Sequence, residues 1–344
     1  MSTFHGPPIW IQAYVGGSPP RQCVSNYEGA LRPTPLNFGI DVAKDTLQIA
    51  WAESPAELCL ANRRRAIADW LAKLAPGSRI AMEATGRYHL LLAELAHAAG
   101  MIVYVLNPCD LLHYARAVGL RGKTDRVDAR LIGRYIVREH AELHPYVPPT
   151  PVQREIDQLL RRRATVVETK TRLRLSLHGM VGLAADLRIA LKRLDGLITK
   201  LDQRLRQLAT HQAESLRRVE SVLGVGPLLG VALTNTFERV PLRNGDAAVA
   251  FVGFDPRAKD SGQCIGRRRL SKRGPAELRR LLFNGARSAS KTKLWRPLYE
   301  RYRARGLSTI EATVVLARKL VRVAFSIYRH GTTFDPARFA RGLT

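Results

Sequence analysis

Apolar residues change their spacing several times along this chain, and each change predicts a different kind of structure. Residues 36–42 and 46–52 place apolar side chains at every second position on either side of a tight turn at Ala43-Lys44-Asp45. That is the signature of a β-hairpin, with a third strand expected near 58–61. Residues 66–74 carry helical spacing and stop at Pro76-Gly77. A short strand at 79–83, a helix at 89–99 ended by Gly100, and an apolar strand at 101–106 running into Asn107-Pro108 follow. Thr124 stands where it can cap a helix through Ala129, Ile132 and Ile136. A hairpin followed by alternating strand and helix predicts an α/β layer domain over residues 36–147.

Beyond Pro148-Pro149-Thr150-Pro151 the period becomes three to four. Between residues 152 and 208 there is no proline and no strand signal, and Leu159, Leu160, Leu173, Leu177, Leu191, Leu194, Ile198, Leu201 and Leu205 form one stripe. This predicts a long helical hairpin or coiled coil over 152–210, broken around Gly179 to Gly182, whose stripe serves as core or dimer interface. Next, Val219 to Leu233 reads as helix, a turn at Gly224-Val225-Gly226, and a second helix from Pro227. In this helix-hairpin-helix pattern, turn amides can meet a DNA phosphate. It opens a mostly helical C-terminal domain over 215–330, with 331–344 as a tail. Residues 1–35, rich in Pro and Gly and without periodicity, are expected to be a flexible extension.

Charge narrows the class of partner. Lys and Arg number 55 against 29 Asp and Glu, a formal net charge of +26, which is the electrostatic footprint of a protein that neutralises a nucleic-acid backbone. Local runs stand at Arg63-Arg64-Arg65, Arg161-Arg162-Arg163 and Arg267-Arg268-Arg269. No uninterrupted apolar run has membrane-spanning length, so a membrane is not the expected partner. Cys23, Cys59, Cys109 and Cys264 include no C-x-x-C pair, which argues against zinc and disulfides and fits a reducing cytoplasm.

Against this basic background four carboxylates stand out. Asp41 closes the first predicted strand, Glu83 closes a later one, and Asp125 with Asp128 opens the helix capped by Thr124. Singly, each is explained as a turn residue or a complement to a helix dipole. Together they have the layout of a ribonuclease H-like nuclease centre, in which carboxylates hold two Mg²⁺ ions ~4 Å apart. Towards the C-terminus, a loop rich in Gly and Arg carries Ser261 beside Gly262, and Ser271 in Leu270-Ser271-Lys272-Arg273-Gly274. Phosphate charge would be stabilised there, and backbone could approach it closely.

Phe38-Gly39-Ile40-Asp41-Val42, Met82-Glu83-Ala84-Thr85-Gly86, Gly122-Lys123-Thr124-Asp125-Arg126-Val127-Asp128-Ala129, Phe251-Val252-Gly253, Ser261-Gly262 and Ser271-Lys272-Arg273-Gly274 occur in this order. In these motifs the chain resembles the IS110/IS1111 family of insertion-sequence transposases, related to the Piv-type DNA invertases, from residue 36 to about 290. The resemblance implies a RuvC-like N-terminal domain whose DEDD tetrad is Asp41, Glu83, Asp125 and Asp128 with Mg²⁺, a coiled-coil dimerisation region, and a C-terminal transposase domain with a catalytic serine. Ser261 is the expected nucleophile and Ser271 the second choice. Donor and target double-stranded DNA, a structured bridge RNA, and a homo-oligomer that is dimeric, or tetrameric in the synaptic complex, are the implied partners. Lys123, Gly224, Gly226, Arg267, Arg268, Arg269, Lys272 and Arg273 are the nucleic-acid contacts expected in a bacterial cytoplasm. Two other classes stay open: a RuvC-like nuclease using metal-activated water, and a non-catalytic nucleic-acid chaperone.

Overall fold

The structure is a computed structural model that describes residues 34–120, 124–257, 260–261, 264–265 and 269–341. Lys123, Gly262, Arg267, Arg268 and all of the expected extension before residue 34 lie outside the described residues. The chain divides into two compact units, 1–148 and 149–344.

In the first unit, β1 (Asn37–Val42), β2 (Thr46–Trp51) and β3 (Glu57–Ala61) form an antiparallel meander. β4 (Arg79–Glu83) and β5 (Ile102–Leu106) add in parallel on the other side of β1, giving the order β3-β2-β1-β4-β5. Alternation along β1 sends Phe38, Ile40 and Val42 to one face. There they pack with Ile67, Trp70 and Leu71 of α1 (Arg64–Leu71) and Leu92, Ala93 and Ala96 of α2 (His89–Ala98). The opposite face is covered by α4 (Asp125–Glu139), whose Ile132 and Ile136 are buried with Ala81, Tyr104 and Leu106. A mixed α/β sheet with helices on both faces agrees with the expected ribonuclease H-like layout.

What lets α4 lie so close is the absence of a side chain at Gly39. A Cβ built there would stand 2.1 Å from the Ala129 carbonyl oxygen and 2.1 Å from the Gly133 amide nitrogen, so strand and helix meet backbone to backbone. The sequence reading passed over a further helix, α3 (Pro108–Ala117). Asn107 caps it by accepting from the Cys109 amide at 2.9 Å, and Pro108 begins it, so the Asn-Pro pair ends one element by starting another. Tyr114 meets Tyr135 edge to face at 4.9 Å and ties α3 to α4.

The second unit opens with α5 (Pro151–Ser176), started by a capping box between Thr150 and Gln153, and α6 (Ala184–Leu208). The ion pairs Arg204 to Glu155, Arg163 to Asp202 and Lys170 to Asp195 join them antiparallel within one chain. Along α6 the leucine stripe is half-buried at Leu191, Leu194, Ile198 and Leu201 and fully buried at Leu205. α7 (Ala213–Glu220), α8 (Pro227–Arg239), α9 (Gly245–Val252), α10 (Ala276–Ala289), α11 (Arg296–Ala304) and α12 (Thr309–His330) follow. They bury Val219, Leu233, Val249, Leu282, Trp295, Leu316 and Leu320 in one core. The expected tail 331–344 instead holds α13 (Pro336–Arg341), anchored by Phe339, whose ring lies 4.5 Å from that of Trp295.

Gly39→Ala forces a methyl into backbone atoms that cannot yield locally, so it should destabilise the first unit by ~1–3 kcal/mol or more. Gly133→Ala meets nothing nearer than Ala52 Cβ at 3.4 Å, and should stay within about 1 kcal/mol of the parent. Denaturant unfolding of the two variants checks this contrast, and equal losses would contradict it.

Candidate active site

Asp41 lies two residues beyond Gly39 on β1, and Glu83 two beyond Ala81 on β4, so both carboxylates project from the α4 side of the sheet. Ile40 pairs with Met82 in the parallel register, which makes Asp41 and Glu83 the next neighbours on adjacent strands. From above, α4 brings Asp125 and Asp128 in its first turn, about one helical turn before Ala129 and Gly133. Thr124 fixes that turn: its Oγ1 accepts from the Val127 amide at 3.3 Å, and its carbonyl accepts from the Asp128 amide at 2.9 Å. On its outer side α4 is held to the meander by Arg126 and Arg130, which both pair with Glu57.

The electrostatics couple Asp41 to the other three carboxylates. The Asp41 carboxyl is pushed up to about 6, first by burial, then by the negative charges of Asp125, Asp128 and Glu83, against the opposing hydrogen bond from the Val42 amide. All four members of the expected tetrad therefore act within one field. As placed, no three His, Cys, Asp or Glu side chains among the described residues stand close enough together to hold a single metal ion. The donor set is nonetheless of the right kind for a hard divalent cation: oxygen ligands only, with one carboxyl strained by like charges that a cation would relieve.

The second unit carries the expected serine loop. β6 (Pro256–Arg257) pairs with β9 (Arg269–Leu270), and between them β7 (Asp260–Ser261) pairs with β8 (Cys264–Ile265). Ser261 is thus in the inner two-stranded ribbon, opposite Cys264. Ser271 is at the base: its amide donates to the Asp255 carbonyl at 2.9 Å and its hydroxyl donates to the Asp255 carboxylate. Gly253, at φ +78°, and Gly274 close the base. A Cβ at Gly253 would lie 2.7 Å from the Arg273 amide, and one at Gly274 would lie 1.8 Å from the Phe251 carbonyl oxygen. Arg279 seals the crossing by donating to the carbonyls of Val252 and Gly274.

Of the expected nucleic-acid contacts, Arg269, Lys272 and Arg273 are exposed around this base, and Lys272 takes a positive φ of 54°. Gly224 and Gly226 lie in the turn between α7 and α8, where Gly224 is half-buried against Gly285 and Ala289 of α10, and Gly226 is exposed as the cap of α8. Sequence reasoning assigned no role to Gly39, Gly133, Asp255 or Arg279. A glycine two positions before the strand aspartate, and another inside a helix of good formers, were the available signs of a close crossing.

Comparison with known proteins finds transposases. A DEDD-type IS110 transposase model matches residues 38–184, and a model described as transposase IS116/IS110/IS902 family matches residues 216–302. The chain is 26% identical over 321 residues to the pilin gene-inverting protein of Moraxella bovis, covering 87% of this chain and 97% of that protein. It is 25% identical over 342 residues to the transposase for insertion sequence element IS1111A of Coxiella burnetii, covering 86% and 90%. A probable family 20 transposase of Pseudomonas aeruginosa is 25% identical over 346 residues, covering 87% and 98%.

A carboxyl whose pKa is higher folded than unfolded favours the folded state while protonated. That contribution is present below its ordinary value of 3.8 and is lost as pH rises through about 6. Asp41→Asn should therefore melt at a higher temperature than the parent at pH 7 in chelator-containing buffer, and the gap should shrink as pH falls from 6 towards 4. A constant gap across that range in thermal melts would contradict the coupling.

Proposed function

The chain belongs to the IS110 family of DNA transposases, and from that premise we propose that it cleaves and exchanges DNA strands through a covalent phosphoserine intermediate, guided by a structured RNA. The observation that carries the reading is the coupling of Asp41 to Glu83, Asp125 and Asp128 inside a chain of net charge +26. Asp41, Glu83, Asp125 and Asp128 would hold Mg²⁺, which supplies charge neutralisation at the phosphodiester oxygens. Ser261 provides the nucleophile. Its hydroxyl oxygen bonds to phosphorus as the bond from phosphorus to the leaving sugar oxygen breaks; the serine proton passes to a nearby base, and the sugar oxygen is released as a hydroxyl. Attack by the sugar hydroxyl of another strand reverses these steps and frees the serine, so phosphoester bonds are conserved without a nucleotide cofactor.

Support for Ser261 over Ser271 comes from the base of the loop, where the Ser271 hydroxyl is already committed to Asp255 in a crossing that holds the ribbon. The turn at Gly224 and Gly226, as a helix-hairpin-helix, and exposed Arg269, Lys272 and Arg273 are assigned to nucleic-acid backbone, with Lys123, Arg267 and Arg268 as further contacts. With DNA as substrate and paired thiols absent from its sequence motifs, the chain is assigned to the cytoplasm. Among the described residues, no helix is long and apolar enough to cross a membrane. Self-association is assigned to the α5 and α6 pair, supported by exposed Leu175, Met180, Val181, Leu183 and Ile189 around its connection.

With a suicide DNA substrate and the cognate RNA, the parent should give an SDS-stable protein–DNA adduct that maps to Ser261. Ser261→Ala and Asp41→Ala should give none while still binding nucleic acid. DNA cut without any adduct would favour metal-activated water instead, and an adduct that survives Ser261→Ala but not Ser271→Ala would move the nucleophile. For self-association, Val181→Asp combined with Ile189→Asp should convert an oligomer to monomers in sedimentation; a parent that sediments as a monomer at full activity would refute the assignment.

A further inference from the structure

One face of α12, through Arg318, Lys319 and Arg322, closes with Arg301 and Tyr302 of α11 around a cavity of ≈ 280 Å³. This is below the ~300–1,000 Å³ of sites for drug-sized ligands, so it suits a compact group. Four cationic side chains line it. Arg322 is partnered, its Nε donating to Asp246 Oδ1 at 2.6 Å. Lys319 places its ammonium 5.9 Å from the centre of the Phe339 ring, a contact that uses none of its N–H donors.

Arg318 is the exception in the group. Its Nε is buried and finds no acceptor among the described residues. Burial and the neighbouring charge of Arg322 push its guanidinium pKa down, against the weaker pull of Asp246, Asp255 and Tyr302. A buried donor without an acceptor costs about 1–3 kcal/mol, more when charged, and such donors in native proteins call for an explanation such as a bound ion. An anion would supply that acceptor and answer the surrounding positive charge. Asp255, which tempers Arg318, is also the residue that holds Ser271 at the base of the serine loop.

We propose that this cavity is a phosphate site, taking one backbone phosphodiester of the bound nucleic acid on Arg318, Lys319 and Arg322. The proposal rests on the strand-exchange reading above and deepens it. A phosphate seated there fixes the register of the nucleic-acid backbone against the anchor of the serine loop, through Arg318 and Asp255. Arg318, Lys319 and Arg322 act as positioning residues, because they hold a phosphate beside the loop base and carry out no bond making.

The test uses the full chain with duplex DNA and with a hairpin RNA, titrated between roughly 50 and 200 mM salt, where each phosphate contact contributes about 0.9 to the slope of log K against log salt. Arg318→Gln should lower that slope by about one on whichever nucleic acid occupies the cavity, and should raise the melting temperature of the free protein by removing a buried, unanswered donor. Lys319→Gln, at a half-buried position, should lower the slope without the gain in melting temperature. Unchanged slopes in both variants overturn the proposal. A second arm adds inorganic phosphate alone: if it stabilises the parent but not Arg318→Gln while the slopes stay unchanged, the cavity binds a free anion and the backbone assignment is wrong. If the parent binds neither nucleic acid, the strand-exchange reading fails, and the inorganic-phosphate arm then decides between a free-anion site and no site.

Discussion

Everything the first unit offers chemically depends on one contact without side chains, where the backbone of β1 at Gly39 touches the backbone of α4 between Ala129 and Gly133. Because the contact is backbone to backbone, the helix axis is set close to the sheet, and its N-terminal turn sits over the carboxyl ends of β1 and β4. Asp41 and Glu83 come from strand register, and Asp125 and Asp128 from helix phase; a fixed crossing is what lets two independent periodicities bring the other three acids within the electrostatic reach of Asp41. The second unit uses the same device in a different setting, with Gly253 and Gly274 crossing at the base of the serine loop.

The acid centre runs against the chain's own composition. A net charge of +26 favours encounter with polyanions at any surface, and it discriminates poorly among them. Four carboxylates in one field do the reverse, since they repel phosphate until a cation intervenes. They stand on a sheet face under a helix two of whose arginines, Arg126 and Arg130, share Glu57 on its outer side. The burial that raises the Asp41 carboxyl comes from this same tight crossing, so packing and electrostatics cannot be tuned separately here.

Much of the first unit was legible because period two and period three to four do not overlap. The strands of the meander, the short strand ending at Glu83 and the cap at Thr124 stand within a residue or two of where alternation and capping place them. α3 was hidden because its start, Asn107-Pro108, reads equally well as the stop of β5, and local chemistry cannot separate the two. In the second unit the long helical stretch was evident, but whether its leucines face a partner chain or the same chain is a tertiary choice, which the ion pairs between α5 and α6 settle for one side of each helix. The role of Asp255 could not be read from sequence at all, because its partner Ser271 is sixteen positions away and meets it only after two glycines cross.

Tethering at the loop base has a geometric consequence for the proposed chemistry. Ser261 follows Arg257, the last residue of β6, by four positions, and a fully extended chain covers at most ~3.3–3.6 Å per residue. Its α-carbon is therefore confined to a sphere of roughly 14 Å radius about that anchor, whatever conformation the intervening residues take. A side chain on so short a leash cannot search along a duplex. The sphere is fixed to α9 and α10, so on the proposed phosphoserine route it is the DNA that must be bent, opened or slid until a phosphorus enters it, and the choice of which bond breaks would pass from the serine to whatever sets the path of the strand.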